Sequence, residues 1–124
     1  MTKFLATLLV LSGLGTVLVA ADLSGAWKLF LDPDLGGVRN TVPCTFTQDR
    51  QKLTIICNGD TAAPIFGEIN GRRVTFRLKT GNHNEATVTH TGQLDRKGTT
   101  IKGTWNLVNQ DQQTRDGKFE AKKQ

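Results

Sequence analysis

The chain has 124 residues, with 16 Lys and Arg against 11 Asp and Glu and a formal net charge of +5. The first 21 residues hold one Lys and no acid, so residues 22–124 keep a net charge of +4. This length excludes a second domain of ordinary size, and this charge is too small to indicate specific nucleic-acid binding.

The amino-terminal segment has the layout of a secretory signal peptide. Lys3 precedes an uncharged run over 4–21 that is rich in Leu, Val and Ala, and Val19-Ala20-Ala21 supplies small residues for cleavage. A membrane anchor is the alternative, because a run of 18 residues is at the edge of spanning length. We predict that 1–21 is a cleaved signal peptide and that 22–124 is one domain without a transmembrane span. We therefore expect a secreted or periplasmic protein.

From Trp27 onward, apolar residues recur at every second position, which is the period of a half-buried strand. The pattern predicts an all-β domain with eight strands at 26–31, 42–48, 53–57, 64–69, 73–79, 86–92, 100–107 and 118–121. Turn residues at Asn70-Gly71 and at 95–98 indicate that consecutive strands pair. We expect a single antiparallel up-and-down β-barrel, with a β-sandwich as the alternative.

The two cysteines lie on either side of one predicted hairpin. With a two-residue turn at Arg50-Gln51, counting outward places Cys44 opposite Cys57 in a non-hydrogen-bonded pair, where side chains approach closely. Two free buried thiols are the alternative, and export makes them improbable. The sequence therefore predicts one hairpin disulfide.

The alternation also sorts side chains between the two faces of the sheet. The predicted inward set is Trp27, Leu29, Leu31, Phe46, Leu53, Ile55, Val74, Phe76, Leu78, Val88, Ile101, Trp105 and Leu107. Few of these are small, which favours a packed interior. Phe30, Ile56 and Phe66 are predicted to face outward. Ile56 and Phe66 lie on adjacent strands, where they can form an apolar patch for self-association or a protein partner.

The connections fall into two sets, because alternate turns of a meander emerge at the same end of the barrel. The turns at 49–52, 70–73 and 93–98 are short and basic, whereas those at 32–41, 58–63, 80–85 and 108–117 are long and acidic. Long loops are where binding sites concentrate, so the long-loop end is the predicted mouth. The basic end is suited to an anionic surface.

Two short motifs carry a resemblance to known barrels. Gly25-Ala26-Trp27 resembles the Gly-x-Trp that opens lipocalins. The longer stretch from Thr91-Gly92-Gln93 through Gly103-Thr104-Trp105-Asn106-Leu107 resembles the late strands of avidins. The chain is also similar to uncharacterised secreted bacterial proteins that share this start and end in Phe-x-Ala-Lys, here Phe119-Glu120-Ala121-Lys122. The resemblance implies a calycin-type eight-stranded barrel. It does not imply biotin binding, because the chain has no Tyr.

The sequence does not supply a catalytic set. No Ser follows Ser24, the two Cys are assigned to the disulfide, and no paired carboxylates are expected inside the barrel. Asp32-Pro33-Asp34 and Asn58-Gly59-Asp60 match no dedicated calcium loop. We predict that the protein is not an enzyme and has no cofactor and no metal.

The predicted function is to bind a small, partly apolar ligand at the long-loop end. The predicted ligand contacts are Trp27, Gln48, Asn82, His83, His90 and Trp105. The two Trp can instead be core residues, and His90 can instead be a hydrogen-bonded interior residue. The alternative function is a packed interaction module that binds a protein or an anionic envelope surface.

Overall fold

The computed structural model describes residues 22–31, 40–80, 83 and 85–124, which form eight strands. The strands are β1 Gly25–Leu31, β2 Asn40–Asp49, β3 Lys52–Cys57, β4 Ile65–Asn70, β5 Arg73–Thr80, β6 Ala86–Leu94, β7 Thr100–Asn109 and β8 Thr114–Lys123. Within the described ranges, no helix has the length and apolar character needed to cross a membrane. The predicted signal peptide lies outside the described residues.

Each strand pairs antiparallel with the next, and β1 pairs with β8 to close the barrel. The closing register runs from Trp27 opposite Lys123 to Leu31 opposite Phe119. The predicted up-and-down barrel is therefore confirmed, and the β-sandwich is excluded. The architecture is compatible with a calycin-like fold.

The hairpin of β2 and β3 has the predicted register. Asp49 pairs with Lys52 across the turn, and Cys44 pairs with Cys57. The Cα atoms of these two cysteines are 4.0 Å apart, and their sulfurs are bonded. The prediction of a hairpin disulfide is confirmed.

The connection between β7 and β8 is shorter than predicted. The expected loop at 108–117 is wrong, because only 110–113 separates the two strands. The Asn109 side-chain oxygen accepts hydrogen bonds from the main-chain N–H groups of Asp111, at 3.0 Å, and Gln113, at 2.9 Å. This tight turn leaves the polar residues Arg115 and Asp116 within β8, opposite Leu107 and Asn106.

The predicted inward set lines the core. All thirteen of its members are buried except Leu31, Leu78 and Leu107, which are half-buried and pack against the core. Of the predicted outward residues, Phe66 is 61% exposed, whereas Phe30 and Ile56 are half-buried. Alternation along each strand therefore assigned the faces correctly.

Candidate ligand-binding site

Six half-buried apolar side chains surround one end of the barrel, and we call them the mouth ring. Each comes from a different strand, at the part of that strand nearest the long-loop end: Leu31, Val42, Cys57, Ile65, Leu78 and Leu107. They pack against the buried core on one side and keep partial contact with solvent on the other. Small-molecule sites are lined mostly by apolar side chains, so these six residues are the candidate lining of such a site.

Two buried polar residues lie one layer below the mouth ring. His90 on β6 pairs directly with Trp105 on β7, and the next inward pair toward the mouth is Val88 with Leu107. His90 is 3% exposed and Trp105 is 1% exposed. The strand register therefore brings together two of the predicted ligand contacts beneath the ring.

Aromatic rings enclose the His90 imidazole. The Phe76 ring stacks on it with centroids 4.6 Å apart, and the Phe119 ring meets it edge-on at 5.0 Å. Burial in these apolar surroundings lowers the pKa of His90 to about 4, because desolvation penalises the imidazolium. The imidazole is therefore neutral at neutral pH.

Both residues bury a polar atom that has no hydrogen-bond partner. These atoms are Nδ1 of His90 and Nε1 of Trp105. The indole N–H is a donor only, whereas a neutral imidazole nitrogen donates or accepts according to the tautomer. A buried polar group without a partner costs a protein about 1–3 kcal/mol of stability. A ligand atom that hydrogen-bonds to either nitrogen would therefore favour binding.

Glycine positions provide the space that the large rings occupy. A Cβ atom at Gly117 would lie 2.6 Å from the Trp105 ring, and one at Gly92 would lie 3.0 Å from the Phe119 ring. Gly117 pairs with Trp105 in the register of β7 and β8. Both glycines are in phase with buried residues on their strands, a signal that a search for apolar residues alone does not detect.

The opposite end of the barrel is sealed by residues 22–24, which precede β1, and we call this segment the seal. Leu23 is fully buried, and its main-chain N–H donates to Oε1 of Gln48 at 2.8 Å. The Gln48 main-chain N–H donates to Oγ of Ser24 at 3.0 Å, and its Nε2 donates to the carbonyl of Arg50 at 2.8 Å. Gln48 therefore ties the entering chain to the β2–β3 turn.

The structure divides the predicted ligand contacts by location. His90 and Trp105 lie together below the mouth ring, whereas Trp27 and Gln48 lie at the sealed end. His83 is exposed in the connection before β6, and its main-chain N–H donates to the Glu85 carboxylate at 3.3 Å. Asn82 lies outside the described residues.

The fold and this site define the class as a small, closed up-and-down barrel with an apolar rim at one end. Comparisons with known proteins found no matching family, no matching curated protein and no matching solved structure.

Proposed function

We propose that this chain is an exported, non-enzymatic binding protein that takes a small, partly apolar ligand at the mouth ring. The observation that carries the proposal is a half-buried apolar rim one layer above two residues whose buried polar atoms lack partners. The proposal includes a relationship to lipocalin-like and avidin-like barrels and to the secreted bacterial proteins with a Gly-x-Trp start. A disulfide is consistent with an extracellular or periplasmic location.

The site chemistry favours a ligand with an apolar body and an uncharged polar group. The mouth ring supplies apolar surface, and each Å² of it that a ligand removes from water contributes about 25 cal/mol to the free energy of binding. Below it, the Trp105 N–H calls for a ligand acceptor, and the low pKa of His90 keeps a fixed positive charge out of this layer. The proposed site does not include Trp27 and Gln48, because their side-chain polar groups already form hydrogen bonds at the sealed end.

Access to the two polar atoms passes through the layer above them. Val88 is 8% exposed and Leu107 is half-buried, and each is two residues closer to the mouth than its polar neighbour. A ligand that enters from the mouth would have to displace these two side chains to reach His90 and Trp105.

The experiment is a titration of the protein with the neutral fluorescent probe N-phenyl-1-naphthylamine. We expect saturable binding that changes the tryptophan emission. Leu107→Asn should weaken the affinity for the probe about tenfold, since burying a Leu side chain is worth about 1.5–3 kcal/mol. Val108→Asn is the matched control, because Val108 is also half-buried but faces outward on the same strand.

Thermal unfolding of both variants separates loss of binding from loss of fold. Equal weakening by the two substitutions, or emission that never saturates with the wild type, would contradict a site at the mouth ring.

A second candidate function is association through the outer wall. Phe66 is the only large hydrophobic residue classed as exposed within the described ranges, at 61%. It pairs with Thr54, so Ile56 on the same strand as Thr54 is its diagonal neighbour. Sedimentation velocity of the wild type against the Ile56→Asp/Phe66→Asp double variant tests this patch. A larger species in the wild type alone supports it, and a monomeric wild type that binds no protein of its host envelope removes it.

A further inference from the structure

The sealed end of the barrel carries a cluster of positive charge. Its three hairpin tips contribute six exposed cations, and Lys123 at the end of β8 adds a half-buried one. We call these seven residues the basic end: Arg50, Lys52, Arg72, Arg73, Arg96, Lys97 and Lys123. The acidic residues at this end are Asp22, Asp49 and Asp95, so seven positive and three negative charges leave an excess of four.

The acidic residues of this end are largely engaged by main-chain groups. The Asp95 carboxylate accepts the N–H groups of Thr99, at 2.9 Å, and Thr100, at 3.1 Å, which lowers its pKa, and the Lys97 charge adds to this. Asp22 accepts the N–H of Ser24 at 3.0 Å, and its pKa is lowered for that reason first. Neither carboxylate is within ion-pair distance of a described cation at the tips.

The ion pairs found among the described residues lie elsewhere, on the barrel wall. They join Arg77 to Glu68 at 3.6 Å and Lys102 to Glu120 at 3.9 Å. The six exposed cations of the three tips therefore present their charge to solvent, whereas Lys123 Nζ donates to the main-chain carbonyl of Asp22 at 3.1 Å. Like charges gathered on one face create a local field that attracts an anionic partner.

The shape of this end favours an extended anionic surface over a single-stranded nucleic acid as that partner. The cations come from three tips around a closed barrel end, so they form a two-dimensional array and not a linear track. Proteins that bind single strands combine a groove with exposed aromatic rings for stacking. The one large hydrophobic residue classed as exposed within the described ranges is Phe66, which lies on the wall.

We propose that the basic end docks the barrel end-on against a bilayer surface rich in anionic phospholipid. Each basic residue near such a surface adds to the attraction, and screening by salt weakens it. Leu23 closes this end, and no large hydrophobic side chain among the described residues is exposed there, so the contact is electrostatic and without insertion. The mouth ring lies at the other end of the barrel, so this docking does not depend on the proposed ligand site.

The test is co-sedimentation of residues 22–124, which contain all eight described strands and the seal, with vesicles. Phosphatidylcholine vesicles that contain phosphatidylglycerol should bind it, and pure phosphatidylcholine vesicles should not. A variant with one cation removed from each tip, Arg50→Gln/Arg72→Gln/Arg96→Gln, should bind about a hundredfold more weakly, at about fivefold for each charge. The wall variant Lys28→Gln/Lys79→Gln/Lys118→Gln loses the same charge and should stay within about threefold of the wild type.

Equal losses in the two triple variants would overturn the proposal, because net charge alone would then explain binding. Binding that raised salt does not weaken, or binding to pure phosphatidylcholine, would overturn it as well. Tighter retention on single-stranded DNA than on the anionic vesicles would replace the lipid surface with nucleic acid as the partner. Probe binding at the mouth ring should be unchanged in the tip variant, so failure here is distinct from failure of the proposed function.

Discussion

The Trp27 indole N–H donates a 2.8 Å hydrogen bond to the main-chain carbonyl of Leu23, four residues earlier in the chain. Both residues are buried, and Trp27 also stacks on Phe46 with ring centroids 5.1 Å apart. The bond holds the chain in a turn across the barrel end, so that the Leu23 side chain enters the core. The first strand and the seal are therefore one structural unit.

Replacing Leu23 by Ala should destabilise the barrel. The side chain is fully buried, and its loss leaves a cavity at the sealed end. We expect the free energy of unfolding to fall by about 2–5 kcal/mol, measured by chemical denaturation. Phe66→Ala is the control, because that side chain is 61% exposed and should cost far less. Equal costs at the two positions would show that Leu23 does not seal the core.

Adding a methyl group at Gly117 should also destabilise the barrel, by overpacking. The new Cβ would lie 2.6 Å from the Trp105 ring, which must then move. We expect Gly117→Ala to cost about 1–3 kcal/mol. In a double-mutant cycle with Trp105→Leu, the smaller side chain should recover part of that cost. Additive effects would mean that the ring does not occupy the space above Gly117.

Reducing the Cys44–Cys57 disulfide should lower stability without changing the fold. The bond closes a loop with a sequence separation of 13, for which loop entropy predicts a loss of about 3 kcal/mol. Denaturation with and without reductant measures the loss, and a Cys44→Ala/Cys57→Ala variant should lose its sensitivity to reductant. Mass spectrometry of unreduced, exported protein should find this bond within one monomer, and free thiols there would contradict it.

Stability should fall as the pH falls from 6.5 toward 4, because of His90. The unfolded chain binds a proton at the ordinary His pKa, whereas burial holds the folded pKa at about 4. Above pH 6.5 the His90 imidazole is neutral in both the folded and the unfolded state, so its full contribution to stability is present. Between the unfolded and folded pKa values of His90, only the unfolded state is protonated. The free energy of unfolding therefore falls by about 3 kcal/mol in total across this range.

His90→Leu is the control for this pH dependence, since it keeps an apolar side chain against Phe76 and Phe119 but cannot titrate. In this variant the free energy of unfolding should depend less on pH in the upper part of the range from pH 4 to 6.5, above the pH at which carboxyl groups titrate. The lowered pKa values of Asp22 and Asp95 affect stability only below about pH 5, so they overlap the lower part of this range and not the upper part. An unchanged slope in His90→Leu would assign the effect to another group.

Exported protein should begin at or near Asp22. The predicted cleavage follows Ala21, and the seal begins within two residues of that position, since Leu23 is already buried. Intact-mass and amino-terminal analysis of protein from its native host measures this directly. Retention of residues 4–21 would show that the segment is an anchor.

The sequence alone determined the strands, their order and the disulfide. Alternation and turn residues are local signals, so they were sufficient to predict eight strands and to pair Cys44 with Cys57. The expected 108–117 loop was wrong because polar composition does not distinguish a long loop from the tight turn that Asn109 organises. Tertiary structure alone decided how the interior is filled. Trp105 occupies the space above Gly117 on a neighbouring strand. Leu23 closes the sealed end, and because it lies outside the strands, the alternation did not predict that it is buried. These contacts depend on the shear and closure of the whole barrel, because packing is set by side chains from different strands that meet only after the barrel has closed.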